Sequence, residues 1–363
     1  MSRNTRGEPK QVNTGTVDLR STFQTFKRAP EYMGTILILA IVVLNVAMQG
    51  LSFFAPYSMQ TIFSTAMPLV ILTMAQVMVL VSGNIDISTG ITMSFVNVFA
   101  VMMPQNFPWL PLWAAYAIAF LIAVLVGVTN GVLVGYVRIP AMLATFGMAF
   151  IIRGVNLLIS DRPQGHVPRE LYRIYQGNVL GIPNSLLLLV LLILVWNVMK
   201  RRPEIKEIYA LGGDEKATYL TGISTARTTV RAFTISGVFV GIAGITWTLM
   251  LASSNPINGD IKTLQSIAAA LIGGVLITGG WGTMICGILG AFFMTLVNNT
   301  TSYMFTQFLP NLIPGFSVST YYQDFTAQAI TMLGIVLAIV ANDKAKTTVK
   351  SAMRIHLKVR EAE

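Results

Sequence analysis

Few residues in this chain could do chemistry, and their pattern suits carrying a solute better than making or breaking bonds. Asp86, within Ser82-Gly83-Asn84-Ile85-Asp86-Ile87-Ser88-Thr89-Gly90, is the carboxylate set close to the apolar core in the first half. An ionisable group there is costly and is a functional candidate by default. Asp86 or Ser88 can equally cap the helix that follows. Asn84, Asp86 and Ser88, with Asn130, Asn298 and Asn299 further along, are candidates to line a wet path for a hydroxyl-rich solute. Each of these asparagines, like Asn97, also suits bonding between helices. Arg153, in Phe150-Ile151-Ile152-Arg153-Gly154, lies toward the outer half of its apolar run. It either snorkels outward or faces a water-filled cavity. The remaining polar feature is a long charged stretch, residues 204–223, held between two apolar runs.

Signs of catalysis are absent. No Gly-x-x-x-x-Gly-Lys-Ser/Thr loop is present to cradle ATP phosphates. His166 and His356 fall in separate polar regions, and no triad or metal-ligand set can be drawn. The single cysteine, Cys286, lies in an apolar run and reads as a small buried hydrophobe. The chain is therefore expected not to be an enzyme and to hold no cofactor or metal. Uphill transport would need an ion gradient or a separate ATPase chain. The apolar runs lack the carboxylate chain of a proton-driven carrier, which favours the ATPase. A sodium site built from carbonyls would leave no such trace.

The elements that must position these residues are membrane helices. Of 363 residues 54% are hydrophobic and 11% charged, against about 25% charged in a soluble domain. Apolar runs of about 20 residues suffice to cross roughly 30 Å of hydrocarbon. The short alternating segments of a β-barrel are missing. Ten spans are expected, near 34–54, 61–82, 87–103, 111–135, 141–160, 184–199, 228–252, 264–280, 284–304 and 321–341, with eight if short segments are re-entrant. The fold class is thus an all-α polytopic membrane protein. Domain 34–341 carries a cytoplasmic loop at 200–227, behind a basic leader 1–33 and ahead of a basic tail 342–363. The first apolar run follows a polar leader and is too long for a signal h-region, so no cleaved signal is expected.

Charge placement supports that layout. With the N-terminus inside, 20 of the 25 Lys and Arg fall on the cytoplasmic side, as the positive-inside rule requires. Basic flanks facing anionic lipid then account for the net charge of +10 without nucleic acid. Residues 161–183, broken by Pro163, Pro168 and Pro183, and residues 305–320 form the larger external loops. Each is either a solvated connection or a docking surface for an external partner. Two glycine-rich interruptions, 80–90 and 277–283, fall between paired runs, a pattern that points to a transport path.

Gly212-Gly213-Asp214-Glu215-Lys216-Ala217-Thr218-Tyr219-Leu220-Thr221-Gly222-Ile223 resembles the coupling segment of ABC importer permeases. The closest likeness is to ribose-type monosaccharide permeases, whose pattern runs Gly-Gly-Asn-Glu-Glu-Ala-Ala-Arg-Leu-Ser-Gly-Ile. Residues 82–90, Asn130-Gly131, 138–148, 266–274 and 279–282 are similar to further motifs of that family in order. The resemblance implies a coupling helix, with Asp214, Glu215, Lys216, Ala217, Gly222 and Ile223 meeting an ABC ATPase that binds ATP-Mg. It also implies a periplasmic solute-binding protein and a second permease chain, identical or paralogous, in the bacterial inner membrane. Lys216 stands where the family usually has Glu, Asn84 replaces a Gly, and Trp281 replaces a common Arg.

Overall fold

In the computed structural model, residues 29–341 are described, apart from 314 and 317. The leader to residue 28, the tail 342–363 and His356 lie outside the described residues.

Helices occupy all ten expected apolar runs. They are α1 (Tyr32–Gln49), α2 (Pro56–Val81), α3 (Thr89–Asn106), α4 (Leu112–Gly135), α5 (Ala141–Ile159), α7 (Asn184–Met199), α10 (Thr225–Leu251), α11 (Gly259–Gly273), α12 (Met284–Tyr303) and α14 (Thr320–Ala341). Shorter helices α6 (Arg169–Gln176), α8 (Pro203–Gly213), α9 (Glu215–Leu220) and α13 (Leu309–Leu312) fill the connections. Proline sets several starts. Pro56 and Pro203 sit in the first turns of α2 and α8, where the missing N–H costs nothing. Pro111, Pro140, Pro168 and Pro183 immediately precede α4, α5, α6 and α7.

Among the described residues, six helical stretches are long and apolar enough to cross a membrane, or seven if α7 and α8, bent by 82°, count as one. The expectation of ten is not reached on length and composition. The 264–280 run shows one reason. Its helix begins five residues earlier and stops at Gly273, because Gly274 takes a left-handed φ of 108°. Residues 275–283 are turn instead. The 161–183 connection also holds more order than expected. It contains α6 and a two-residue antiparallel pair, Asn178–Val179 with Ile182–Pro183.

The centre of the bundle is α2, buried along 94% of its apolar window, whereas the other candidate spans keep an exposed apolar side. Small residues let its neighbours approach closely. Gly127, Gly131 and Gly135 of α4 face the backbone of α10 around Phe233, Val230 and Ala226. Gly273 and Gly290 bring α11 and α12 into backbone contact at Cys286 and Ala269. Cys286 is fully buried, as its apolar surroundings suggest.

A Cβ at Gly290 would run into the Ala269 carbonyl. Gly290→Val is therefore expected to cost about 3 kcal/mol or more by overpacking. Size-exclusion chromatography of detergent-solubilised protein during a heating series should show earlier loss of the monodisperse species.

Candidate functional site

Residues 203–223 fold into a helical elbow. In α8, Ile205, Ile208 and Leu211 are buried and face α2 and α10. Glu207 pairs with Arg231 of α10 at 2.7 Å. The glycine pair 212–213 ends α8, and Asp214 then starts α9. Its carboxylate accepts from Ala217 N at 2.9 Å, and its carbonyl accepts from Thr218 Oγ1 at 2.7 Å. Gly222, at φ 84°, turns the chain toward α10, where Ser224 accepts from Arg227 N at 3.5 Å. Asp214, Glu215, Lys216, Ala217 and Gly222 are exposed and Ile223 is half-buried. Tyr219 and Leu220 are 68% and 84% exposed. They form an apolar tip on a polar segment, which the sequence reading did not single out although Tyr219-Leu220 stood inside the motif.

The elbow rests on the two glycine interruptions. Gly280 N donates to the Val81 carbonyl at 2.9 Å. A Cβ on Gly279 would lie 2.7 Å from Gly83 Cα and 2.8 Å from the Gly212 carbonyl oxygen, and one on Gly280 would lie 2.7 Å from Gly213 Cα. Backbone from three distant segments is thus stacked without side chains between. Positive φ at Gly83, Gly279 and Gly280 (82°, 87° and 67°) makes the turns possible. A cavity of about 490 Å³ opens beside this stack, lined by Ser82, Gly83, Asn84, Arg138, Gly212, Asp214, Glu215 and Thr278 among others. Asn84 bonds Ser82 Oγ at 3.1 Å. Its place is beside the elbow, apart from the asparagines further up the helices.

Asp86 lies just beyond, buried to 3% exposure. Its Oδ1 accepts from Ser88 N at 2.8 Å and Ser88 Oγ at 2.6 Å, and Asn130 Nδ2 donates to Ser88 Oγ at 2.9 Å. Ile87 N donates to Thr145 Oγ1 at 3.0 Å. Asp86 therefore closes a local turn and ties α3 to α4, and neither it nor Ser88 makes the side-chain N-cap bond to α3. Asn298 is exposed and bonds back to the Met294 carbonyl of its own helix, and Asn299 is half-buried. Neither shares a hydrogen bond with the Asp86 group.

Two buried amides that sequence reasoning passed over or mentioned only as helix glue hold a second non-helical stretch. Asn97 of α3 donates to the Ser253 carbonyl at 3.0 Å and accepts from Asn255 N at 2.6 Å. Asn156 of α5 donates to Ser94 Oγ at 3.0 Å and to the Pro256 carbonyl at 3.5 Å. Arg153 does not snorkel. It forms an ion pair with Asp260 of α11 and lies 5.5 Å from the centre of the Phe150 ring.

A buried central helix, an exposed elbow seated on glycine turns and buried polar ties between spans define an all-helical membrane transport component. Residues 58–340 match the family model described as the permease component of the branched-chain amino acid transport system, and the chain belongs to that family. It is similar to an autoinducer 2 import system permease protein of Photorhabdus laumondii, 31% identical over 250 residues (67% of this chain and 74% of the relative). It is similar to a ribose import permease protein of Haemophilus influenzae, 29% identical over 306 residues (83% and 90%). A D-allose transport system permease protein of Escherichia coli is 28% identical over 316 residues (86% and 91%). No solved structure matches the chain. The chain is a transport permease component, not a catalytic enzyme.

The glycine stack gives a direct test. A Cβ at Gly212 would meet the Val81 carbonyl oxygen, whereas one at Gly213 meets nothing within 4 Å. Gly212→Ala should lift the elbow and raise its cleavage by added protease several-fold, while Gly213→Ala should leave cleavage unchanged.

Proposed function

We propose that this chain is the membrane-spanning subunit of a bacterial ABC importer for a monosaccharide or similar polyhydroxylated solute. The relatives named for ribose, allose and autoinducer 2 support the solute class. The observation that carries the coupling role is the elbow itself. Its capped short helix offers charged residues and an apolar tip to water, while its base rests backbone-to-backbone on the turns after α2 and before α12. A push on α9 would therefore bear on spans far apart in the chain rather than bend one loop. Asp214, Glu215, Lys216, Ala217, Gly222 and Ile223, with Tyr219 and Leu220, are the contact set for an ABC ATPase that binds ATP-Mg.

The remaining partners follow from the same reading. A periplasmic solute-binding protein docks on the 161–183 and 305–320 connections. A second permease chain, identical or paralogous, completes the path. N- and C-termini lie in the cytoplasm of an inner-membrane protein. Lys200, Arg201 and Lys206, with Glu31, Trp196 and Tyr209, border a cavity of about 490 Å³ at the α7–α8 bend, whose three cations against one carboxylate suit anionic lipid head groups. No nucleic acid is involved.

Gly222→Pro tests coupling. Proline fixes φ near −65° and has no N–H, whereas Gly222 sits at 84° and its N–H bonds the Tyr219 carbonyl at 3.0 Å. Expected is normal membrane insertion, with uptake and binding-protein-stimulated ATP hydrolysis down at least about tenfold. Normal uptake would remove the coupling assignment. A gently solubilised, tagged chain should also bring an ATPase with it. Flux through the lone chain in liposomes, indifferent to ATP and abolished by an ionophore, would instead establish an ion-coupled carrier.

A further inference from the structure

After α10 the chain turns back into the bundle without forming a helix at once. Ala252, at φ 56°, stops the helix, and residues 253–258 run non-helically along α3. Their partners step down that helix. Ser253 and Asn255 bond Asn97, Asn255 bonds Ser94 at 2.7 Å, and Gly259 packs against Gly90 and Ile91. Gly90 N then donates to Thr263 Oγ1 at 2.9 Å. At 1.5 Å per residue, Ile91 lies about 21 Å below Gln105, which bonds the 161–168 connection through the His166 carbonyl. Helix α11 thus begins deep within the bundle. Irregular backbone at such depth is tolerated only where protein buries it or water lines it.

Asp260 stands in the first turn of α11 and pairs with Arg153, roughly 18 Å along α5 from Ala141 and roughly 9 Å from Ile159. The two side chains keep 37% and 49% of their surface exposed. An aspartate is too short to snorkel to an interface, so hydrocarbon is an untenable neighbour for this pair. The same face of α5 presents Phe146 and Phe150, 50% and 52% exposed, with ring centres 4.8 Å apart and nearly perpendicular. Gly147 and Gly154 beside them border open space.

We propose that Arg153, Asp260, Phe146 and Phe150 form a solute-contact station in the translocation path, for a solute carrying adjacent hydroxyls. The proposal rests on the importer reading above. The guanidinium keeps donors for neighbouring hydroxyl oxygens, the carboxylate accepts a hydrogen bond from a hydroxyl, and the Phe faces take the C–H side of the solute. Contacts this few make a passing stop rather than a tight site, as a path requires.

The test uses the assembled transporter with Cys286→Ala as background. Phe150→Cys, which leaves the ion pair intact, and Asp260→Cys are treated with a membrane-impermeant cationic methanethiosulfonate. Leu125→Cys, exposed in the middle of α4, is the lipid-facing control. Both station positions should label at least about tenfold faster than the control. Asp260→Asn and Phe150→Ala should each lower uptake of radiolabelled ribose or allose, whichever the unaltered transporter carries, about tenfold. They should do so with ATPase and binding-protein assembly retained. Labelling of Phe150→Cys no faster than Leu125→Cys overturns the station, as does unaltered uptake in both substitutions. If the unaltered transporter carries neither sugar with ATP, labelling alone decides the station, and the solute reading fails separately.

Discussion

Every backbone N–H and C=O in a membrane must find a partner inside the protein, and this fold is arranged around the three places where helices cannot supply one. These are residues 82–88, 253–258 and 274–283. A lipid-facing loop with unpaired groups would cost several kcal/mol for each. Each stretch is instead tied to neighbouring spans. Thr145 holds the first at Ile87 N, Asn97, Ser94 and Asn156 hold the second, and the Val81 carbonyl receives Gly280 N in the third.

The same constraint explains the glycines. Where backbone must partner backbone, a side chain between them would open the gap. Gly83, Gly212, Gly279 and Gly280 bring three strands of main chain within contact, and the elbow inherits a stiff base from that contact. Buried polar groups serve the complementary end. Asp86, Ser88 and Asn130 hold the start of α3 in register with α4, so the span that begins inside the bundle has a fixed anchor.

The sequence made much of this legible. Apolar runs marked all ten helices because burial in hydrocarbon is a local demand on each residue. Proline and glycine placed most ends because their backbone limits are local too. The elbow was visible as charge between apolar runs, whereas Asp214 as the cap of α9 was found only in the structure. The end of α11 was misplaced because Gly273-Gly274 was read as part of an apolar run, although the left-handed conformation of Gly274 stops the helix. The runs at 184–199 and 264–280 were read as full crossings, whereas α7 and α11 hold 16 and 15 residues, because hydropathy does not register where in the bundle a helix starts or stops.

What the chain by itself determined is therefore its class, its helices and its one protruding segment, all fixed by properties of neighbouring residues. What only the tertiary structure decided is which polar groups share a place. Arg153 and Asp260, or Asn97 and the 253–255 backbone, lie far apart along the chain, and nothing local to either announces the other. Asn84 and Asn298 look alike in sequence, yet one sits beside the elbow and the other bonds its own helix. The physical reason is that pairing energy depends on distance and burial in three dimensions, whereas composition and periodicity report only which residues avoid water.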